Sequence, residues 1–285
     1  FNNLEEALKA LEKSCAVLVE PVQGEGGVIP ADKVDGIKES IIRVHAVEAD
    51  LNRRRQQEIR DKGHRIGARG VSASTALINS TQDFAAYLAD SRVCGVAEAF
   101  FGAHVRISSA NGLVTNPGNE RGYWHADWPY NQTNSARIPA PYPDVVMHLS
   151  TIWMLTPFNA ETGGTLLVPG SHRSSNNPSG DNGVDRDAPY PTEISSTGDP
   201  GSVLIYDSRL WHSVAPNQSD EARVAFTARY GPWWININPE MAGTPENLSM
   251  VVEKGGKAGN LPRIPRDIFE SLPEDVKPLL HHAAE

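Results

Sequence analysis

Cysteine is scarce in this chain: Cys15 and Cys94 are the only two in 285 residues. They form no CxxC pair, so neither a disulfide framework nor a cysteine-rich zinc module is indicated, and they read as buried thiols in a reducing compartment. Long apolar runs are missing too. No stretch approaches the roughly 18 residues of a membrane span, so a membrane is not an expected partner. Positive charge is in deficit: 26 Lys and Arg stand against 35 Asp and Glu, a formal net charge of −9. That leaves no electrostatic footprint for nucleic acid, and an anionic ligand would need a local arginine pocket. The chain begins at Phe1; the cytoplasm is the expected compartment, and nothing in the sequence speaks to oligomeric state.

What is present is an ordinary globular composition, 39% hydrophobic and 21% charged, whose texture changes after Gly102. Upstream the signals are helical. NLEEALKALEKS (3–14) puts Leu4, Ala7, Leu8 and Leu11 on one face with Asn3 as N-cap. AVLVE (16–20) predicts a buried strand, and Ala31 opens a helix with the stripe Val34, Ile37, Ile41 and Val44. RRRQQEIRDK (53–62) continues that helix as a solvated face, because Glu58 and Asp61 interrupt the basic run. A further helix or two covers 82–102.

Downstream, short runs rich in Val, Ile, Thr and aromatics alternate with Gly, Pro, Asn and Ser clusters: HVRISSANGLVT, VVMHLSTIWMLT, GTLLVPG, GSVLIYD, LWHSVA and RVAFTARY. This pattern predicts a mainly β fold, a sandwich or jelly-roll barrel with flanking helices. The polar stretch 174–189 is expected to be a long loop beside the barrel mouth, and 266–283 a return to helix.

The chemistry starts in YWHADWPYNQ (123–132). Residues two apart on a strand share a side, so His125 and Asp127 present an imidazole and a carboxylate to one point. A facial iron site needs a second histidine and keeps three positions open. Of nine histidines, position along the chain leaves His104, His148, His172 and His212, and His212 has the best surroundings, in a strand followed by a turn and an arginine-bearing strand. His148 and His172 read as structural. Arg223 and Arg229, six residues apart, would face the same side. A barrel-facing arginine is costly unless a carboxylate meets it, and a bidentate fork to a small-molecule carboxylate would do so. Iron beside such an arginine points to a chelating diacid of the shape of 2-oxoglutarate. Trp124, Trp128 and Tyr130 fit core packing as well as substrate contact.

In order and surroundings, WHADW (124–128), ETGGTLLVPGSHR (161–173), GSVLIYDSRLWHSVAPNQS (201–219) with Arg223, and LPEDVKPLL (272–280) resemble the phytanoyl-CoA dioxygenase family of iron- and 2-oxoglutarate-dependent oxygenases. The resemblance runs from about Ala31 to the end. It implies a double-stranded β-helix, a cupin-like jelly roll, with metal ligands His125, Asp127 and His212 and with Arg223 rather than Arg229 on the cosubstrate carboxylate. Thr165 matches a cosubstrate-contacting position. Fe(II), 2-oxoglutarate and O2 are the implied cofactor and cosubstrates, and the reaction is hydroxylation of an unactivated C–H bond with release of succinate and CO2. Asp127 argues against halogenation, since related halogenases carry a small residue there. Trp128, Tyr130, Asn131 and Gln132 are expected to line the substrate pocket, with Trp233 closing it.

Residues 1–30 depart from that family. EPVQGEGG (20–27) resembles a stretch of class III pyridoxal-phosphate aminotransferases without the rest of that domain, so residues 1–30 are read as a helix–strand segment of foreign origin and 31–285 as the dioxygenase domain. A lone loop supplies neither phosphate cup nor Schiff-base lysine, which excludes a PLP reaction. Two other classes stay open at this stage. A zinc hydrolase or cupin-type isomerase also accepts two His and a carboxylate, and a non-catalytic barrel could keep the fold alone. The substrate's identity is not legible.

Overall fold

The computed structural model describes residues 28–179, 184–256 and 261–285, with the backbone of 16–19. In chain order the main elements are β1 (Ala16–Val19), α1 (Ala31–Asp61), β2 (Val71–Ser74), α2 (Ser91–Phe101), β3 (Val105–Thr115), β4 (Leu149–Met154), β5 (Thr165–Leu167), β6 (Ile194–Ser195), β7 (Val203–Asp207), β8 (His212–Val214) and β9 (Arg223–Pro232). A six-stranded sheet runs β1-β7-β4-β9-β3-β2 and a three-stranded sheet runs β6-β5-β8. All pairings between these strands are antiparallel. This is the double-stranded β-helix, flanked by helices.

Alternation along the strands sorts side chains between two interiors. From β4, β7 and β9, the residues Leu149, Trp153, Val203, Ile205, Val224, Phe226, Ala228 and Tyr230 face the helices and join one core with Val34, Ile37 and Ile41 of α1 and Val93 and Val96 of α2. Trp153 stacks on Phe226 with ring centroids 5.1 Å apart. The intervening residues Ile152, Met154, Leu204, Tyr206 and Ala225 pack inside the barrel. On the same inner face lie Ser150, Arg223 and Arg229. The major sheet thus has a greasy outer face under helices and an inner face that turns polar toward both ends.

The stripe expected on α1 is the buried one, with Ser40 and His45 added, and its charged second half is largely exposed. Asp90 caps α2 by accepting from the Arg92 N–H at 3.0 Å, and Gly102 ends it at φ 77°, a conformation glycine adopts without strain. The helix expected over 3–14 lies outside the described residues. The strand after it forms the sheet edge, pairing Ala16 with Tyr206 and Val19 with Val203.

The C-terminal stretch returns to helix as expected, broken into short pieces at Arg266–Ser271, Lys277–Leu280 and His281–Ala283. Pro273 follows Leu272, which takes extended backbone (ψ 153°), the conformation favoured for a residue before proline. The stretch 174–189 is a loop in its described parts, as expected, and it is tied down. Trp124 donates its backbone N–H to Arg186 O and its indole N–H to Ala188 O, each at 2.8 Å, tying the loop to the His125 segment. Among the described residues no helix is long and apolar enough to cross a membrane.

Candidate metal centre

The two histidines meet because their backbones pair. His125 and His212 form an antiparallel bridge, each donating its N–H to the other's carbonyl, at 3.1 and 3.0 Å. Directly opposed residues carry their side chains to the same face, and the two rings lie 4.2 Å apart. Beyond this bridge residue the chain leaves the strand, contrary to the strand expected through Asp127. The Asp127 N–H is taken instead by Ser208 O at 2.9 Å. The geometry still converges: ligand atoms of His125, Asp127 and His212 all lie within 4.8 Å of one another, with His212 Nε2 3.7 Å from Asp127 Oδ2.

The tautomers follow from the neighbours. His125 Nδ1 is 3.1 Å from Tyr123 O, and His212 Nδ1 is 2.9 Å from Leu210 O. A carbonyl only accepts, so each Nδ1 carries a proton, and each Nε2 is the nitrogen available to a metal. Burial, with His212 close by, pushes the His125 imidazole down to about 3, so it stands in the neutral, ligating form.

Asp127 is 4% exposed, and burial alone would disfavour its charge. The Arg229 guanidinium, the two imidazoles and a hydroxyl outweigh that and hold the carboxyl well below its usual range. Its Oδ1 accepts from Arg229 Nη2 at 2.6 Å; its Oδ2 accepts from Ser150 Oγ at 2.7 Å and Tyr206 OH at 3.3 Å. Ser150 and Arg229 sit opposite each other in the β4–β9 register, so one cross-strand pair serves both oxygens. The donor set is two imidazole nitrogens and one carboxylate on one side of a shared space. It fits a facial iron site with open positions.

Arg223 lies at the other end of β9, 5% exposed. Its Nη1 donates to Gly164 O at 3.1 Å and Thr162 O at 3.4 Å, its Nη2 to Thr115 Oγ1 at 3.4 Å, and the guanidinium lies 4.8 Å from the Phe158 ring centroid. No carboxylate pairs with it among the described residues, and burial lowers its pKa to about 10. The Gly163–Gly164 turn makes this cradle. A Cβ on Gly163, which sits at φ +71°, would lie 2.5 Å from Pro216 O and 3.1 Å from Arg223 Nη1. Thr165 follows in the buried start of β5, its N–H donated to Ser196 Oγ at 2.9 Å. The two arginines therefore divide their work: Arg229 already has a carboxylate in Asp127, whereas Arg223 has only neutral acceptors.

Next to Asp127 opens a cavity of about 220 Å³ whose wall includes Ser108, Asn111, Trp128, Asn131, Asn134 and Arg229. Of the residues expected at the pocket, Trp128 and Asn131 are there. Tyr130 is fully buried against Tyr142. Gln132 spends its amide N–H groups on Tyr130 O, Ile138 O and Tyr142 OH. Trp233 is 54% exposed and lines a separate groove with Phe269 and Lys277. Their aromatic and amide character gave no hint of that division, which the turn after Asp127 decides. Trp124 is core, packed with Leu166, Val168 and Trp211.

Sequence reasoning missed three residues: Arg229 as partner of the metal carboxylate, Ser150 beneath it, and His148, which is fully buried. A signal existed for Arg229, since its six-residue spacing from Arg223 put it on the inner face.

Comparison with known proteins is consistent with this geometry. The family model described as phytanoyl-CoA dioxygenase (PhyH) matches residues 18–225. A dioxygenase of Aspergillus fumigatus, af480, is 31% identical over 137 residues, 47% of this chain and 40% of that protein. The chain thus spans about 40% of the length of the first curated relatives it matches. A stretch of 35 residues is 63% identical to the acetylornithine aminotransferase of Pseudomonas putida, 12% of this chain and 8% of that enzyme. Among solved structures, HygX of Streptomyces hygroscopicus, with nickel and 2-oxoglutarate bound, superimposes with a TM-score of 0.59 over 86% of this chain and 94% of its own, at 18% identity. The chain belongs to the phytanoyl-CoA dioxygenase family, within the iron- and 2-oxoglutarate-dependent oxygenases.

Proposed function

We propose that this chain is an Fe(II)- and 2-oxoglutarate-dependent dioxygenase that hydroxylates an unactivated C–H bond of a small organic substrate. The observation that carries the reading is the pairing of a two-histidine, one-carboxylate cluster with a buried arginine that lacks an anionic partner among the described residues, both inside one barrel. His125, Asp127 and His212 would hold the metal. Arg223 would take the distal carboxylate of 2-oxoglutarate, with Thr165 beside it. Iron with 2-oxoglutarate and O2 supplies the oxidation, at the cost of one 2-oxoglutarate converted to succinate and CO2 per turnover.

The protein's own residues supply orientation. The carbonyls of Tyr123 and Leu210 fix the imidazoles, Arg229 and Ser150 fix the carboxylate, and Tyr206 closes the floor between Asp127 and His212. A zinc hydrolase has no need of a desolvated guanidinium placed to receive a diacid, and a passive binding barrel has no need of the two-histidine, one-carboxylate cluster.

The cavity narrows the substrate. Asn111 Oδ1 already accepts from the Ala76 N–H at 3.4 Å, and Asn131 Oδ1 from the Thr133 N–H at 3.0 Å. Their amide N–H groups are left as donors on the wall, so the substrate should present oxygen acceptors (hydroxyl, carbonyl or carboxylate) rather than a bare alkyl chain. Residues 1–30 we read as a segment added to the dioxygenase domain of 31–285; of its described residues, 16–19 form the edge strand β1 and Val28 and Ile29 are buried in the helix-side core.

The test is succinate release from the Fe(II)-loaded protein with 2-oxoglutarate over a panel of small oxygen-rich molecules, with His212→Ala as the inactive control. Succinate release that is independent of 2-oxoglutarate or unaffected in His212→Ala would remove the reading.

A further inference from the structure

Beneath Asp127 runs a chain of buried hydrogen bonds that ends at the cavity wall. Ser150 Oγ is 2.7 Å from Asp127 Oδ2 and 2.8 Å from Ser208 Oγ; Ser208 Oγ is 2.7 Å from His148 Nδ1; His148 Nε2 is 2.8 Å from Ser108 Oγ. Ser108 is the unpaired residue of a bulge in β3, where the register with β9 slips between Ile107 and Ser109. A bulge re-aims a side chain, and here it turns Ser108 to both His148 and the cavity. The imidazole is 0% exposed. The Trp128 ring meets it edge-on at 5.4 Å, and Gly231 leaves it room, since a Cβ there would lie 3.1 Å from His148 Cδ2.

Proton counting fixes the direction of the chain. An ionised Asp127 only accepts, so Ser150 spends its one hydroxyl proton on Oδ2. The contact between Ser150 and Ser208 is then a hydrogen bond only if Ser208 donates. Ser208 has no second proton, so it must accept from His148 Nδ1–H. Burial pushes His148 down to about 3, so the ring is neutral, and its Nε2 accepts from Ser108. In the reverse tautomer two hydroxyl oxygens would face each other at 2.8 Å with no proton between them.

We infer that His148 is a positioning residue for the metal site: as the neutral Nδ1–H tautomer it forces Ser208 and Ser150 to donate toward Asp127, holding the carboxylate in its ligating orientation. This rests on the metal-site reading above. Groups that orient metal ligands in this way typically contribute about 10- to 100-fold in metal affinity.

The experiment is Co(II) titration of the apo-protein followed by its visible absorption, with thermal unfolding of each apo variant to establish that it folds. Asparagine mimics Nδ1 and glutamine mimics Nε2. His148→Gln should keep only the Ser108 contact and weaken Co(II) binding about 10- to 100-fold, whereas His148→Asn should restore donation to Ser208 and bind close to wild type. Ser208→Ala, a smaller change, should lose as much as His148→Gln, with no further loss in the double variant. Wild-type affinity in a folded His148→Gln, an equal loss in His148→Asn, or wild-type affinity in Ser208→Ala would each overturn the inference. The control separates the two levels: if His125→Ala also binds Co(II) as wild type does, the metal-site reading has failed and this inference with it.

Discussion

Replacing Arg223 by methionine tests the cosubstrate assignment through two readouts of opposite sign. In the absence of 2-oxoglutarate the guanidinium is 5% exposed and meets only neutral acceptors. Its pKa is held down from 12.5 to about 10, which corresponds to a folding penalty of roughly 3 kcal/mol on the charged form. Methionine removes that penalty, keeps an unbranched chain beside Phe158, and orphans little: Gly164 O retains the Ala215 N–H at 3.3 Å. The apo variant should therefore unfold at the same temperature as wild type or above it. The 2-oxoglutarate requirement should move the other way. Removing one member of a buried charge pair costs at least about 2 kcal/mol, so the concentration for half-maximal succinate release should rise roughly 30-fold or more. Differential scanning fluorimetry without 2-oxoglutarate, and succinate release against its concentration, read the two halves. A variant that melts well below wild type while its 2-oxoglutarate dependence is unchanged would refute the reasoning and make Arg223 a structural residue.

Other predictions follow the same geometry. Asp127→Ala should abolish succinate formation and also lower the apo melting temperature, because Arg229 loses its only ion-pair partner among the described residues; a stable variant with activity would remove Asp127 from the site. Gly163→Ala, at φ +71° and 2.5 Å from Pro216 O, should destabilise the fold and raise the 2-oxoglutarate requirement together, since the turn cradles Arg223. Asn131→Ala should raise the KM for an oxygen-bearing substrate while leaving substrate-free 2-oxoglutarate turnover unchanged, a split visible in parallel succinate assays. His148 is buried and His282 half-buried, and burial lowers their folded values to about 3 and about 4 from 6.5. Stability should therefore be full above pH 6.5 and fall as pH drops toward 4, since the unfolded state takes up the protons first. Urea unfolding of the apo-protein across that range checks the slope, which His282→Gln should flatten.

Much of this was legible from residue order. The α1 stripe, the β texture after Gly102 and a strand at Ala16 follow from local pattern, and the structure carries all three, the last at a sheet edge that the apolar run did not announce. His125 and Asp127 were legible as a pair from their spacing, His212 as the best placed of four candidate histidines, and the family resemblance completed the set. What the sequence could not state is how they meet. The two histidines are neighbours across an antiparallel bridge between segments 87 residues apart, and Asp127 is placed by a backbone bond to Ser208, not by strand alternation. Long-range pairing of this kind has no local signature. For the same reason His148 reads as an ordinary core histidine: its partners Ser108 and Ser208 come from two other strand regions and are unremarkable residues in sequence. Trp233 shows the opposite error. Its closeness to Arg229 along the chain suggested the pocket, but it lies beyond the end of β9, on the outside.

The central claim is that His125, Asp127 and His212 hold Fe(II) in a form that 2-oxoglutarate chelates, and anaerobic titration of the apo-protein tests it most directly. Fe(II) is added first and 2-oxoglutarate second, and the visible metal-to-ligand charge-transfer band is followed. The account predicts a band that requires both components, is absent in His212→Ala, and needs far more 2-oxoglutarate in Arg223→Met. Tight retention of zinc with no such band under any condition would contradict it.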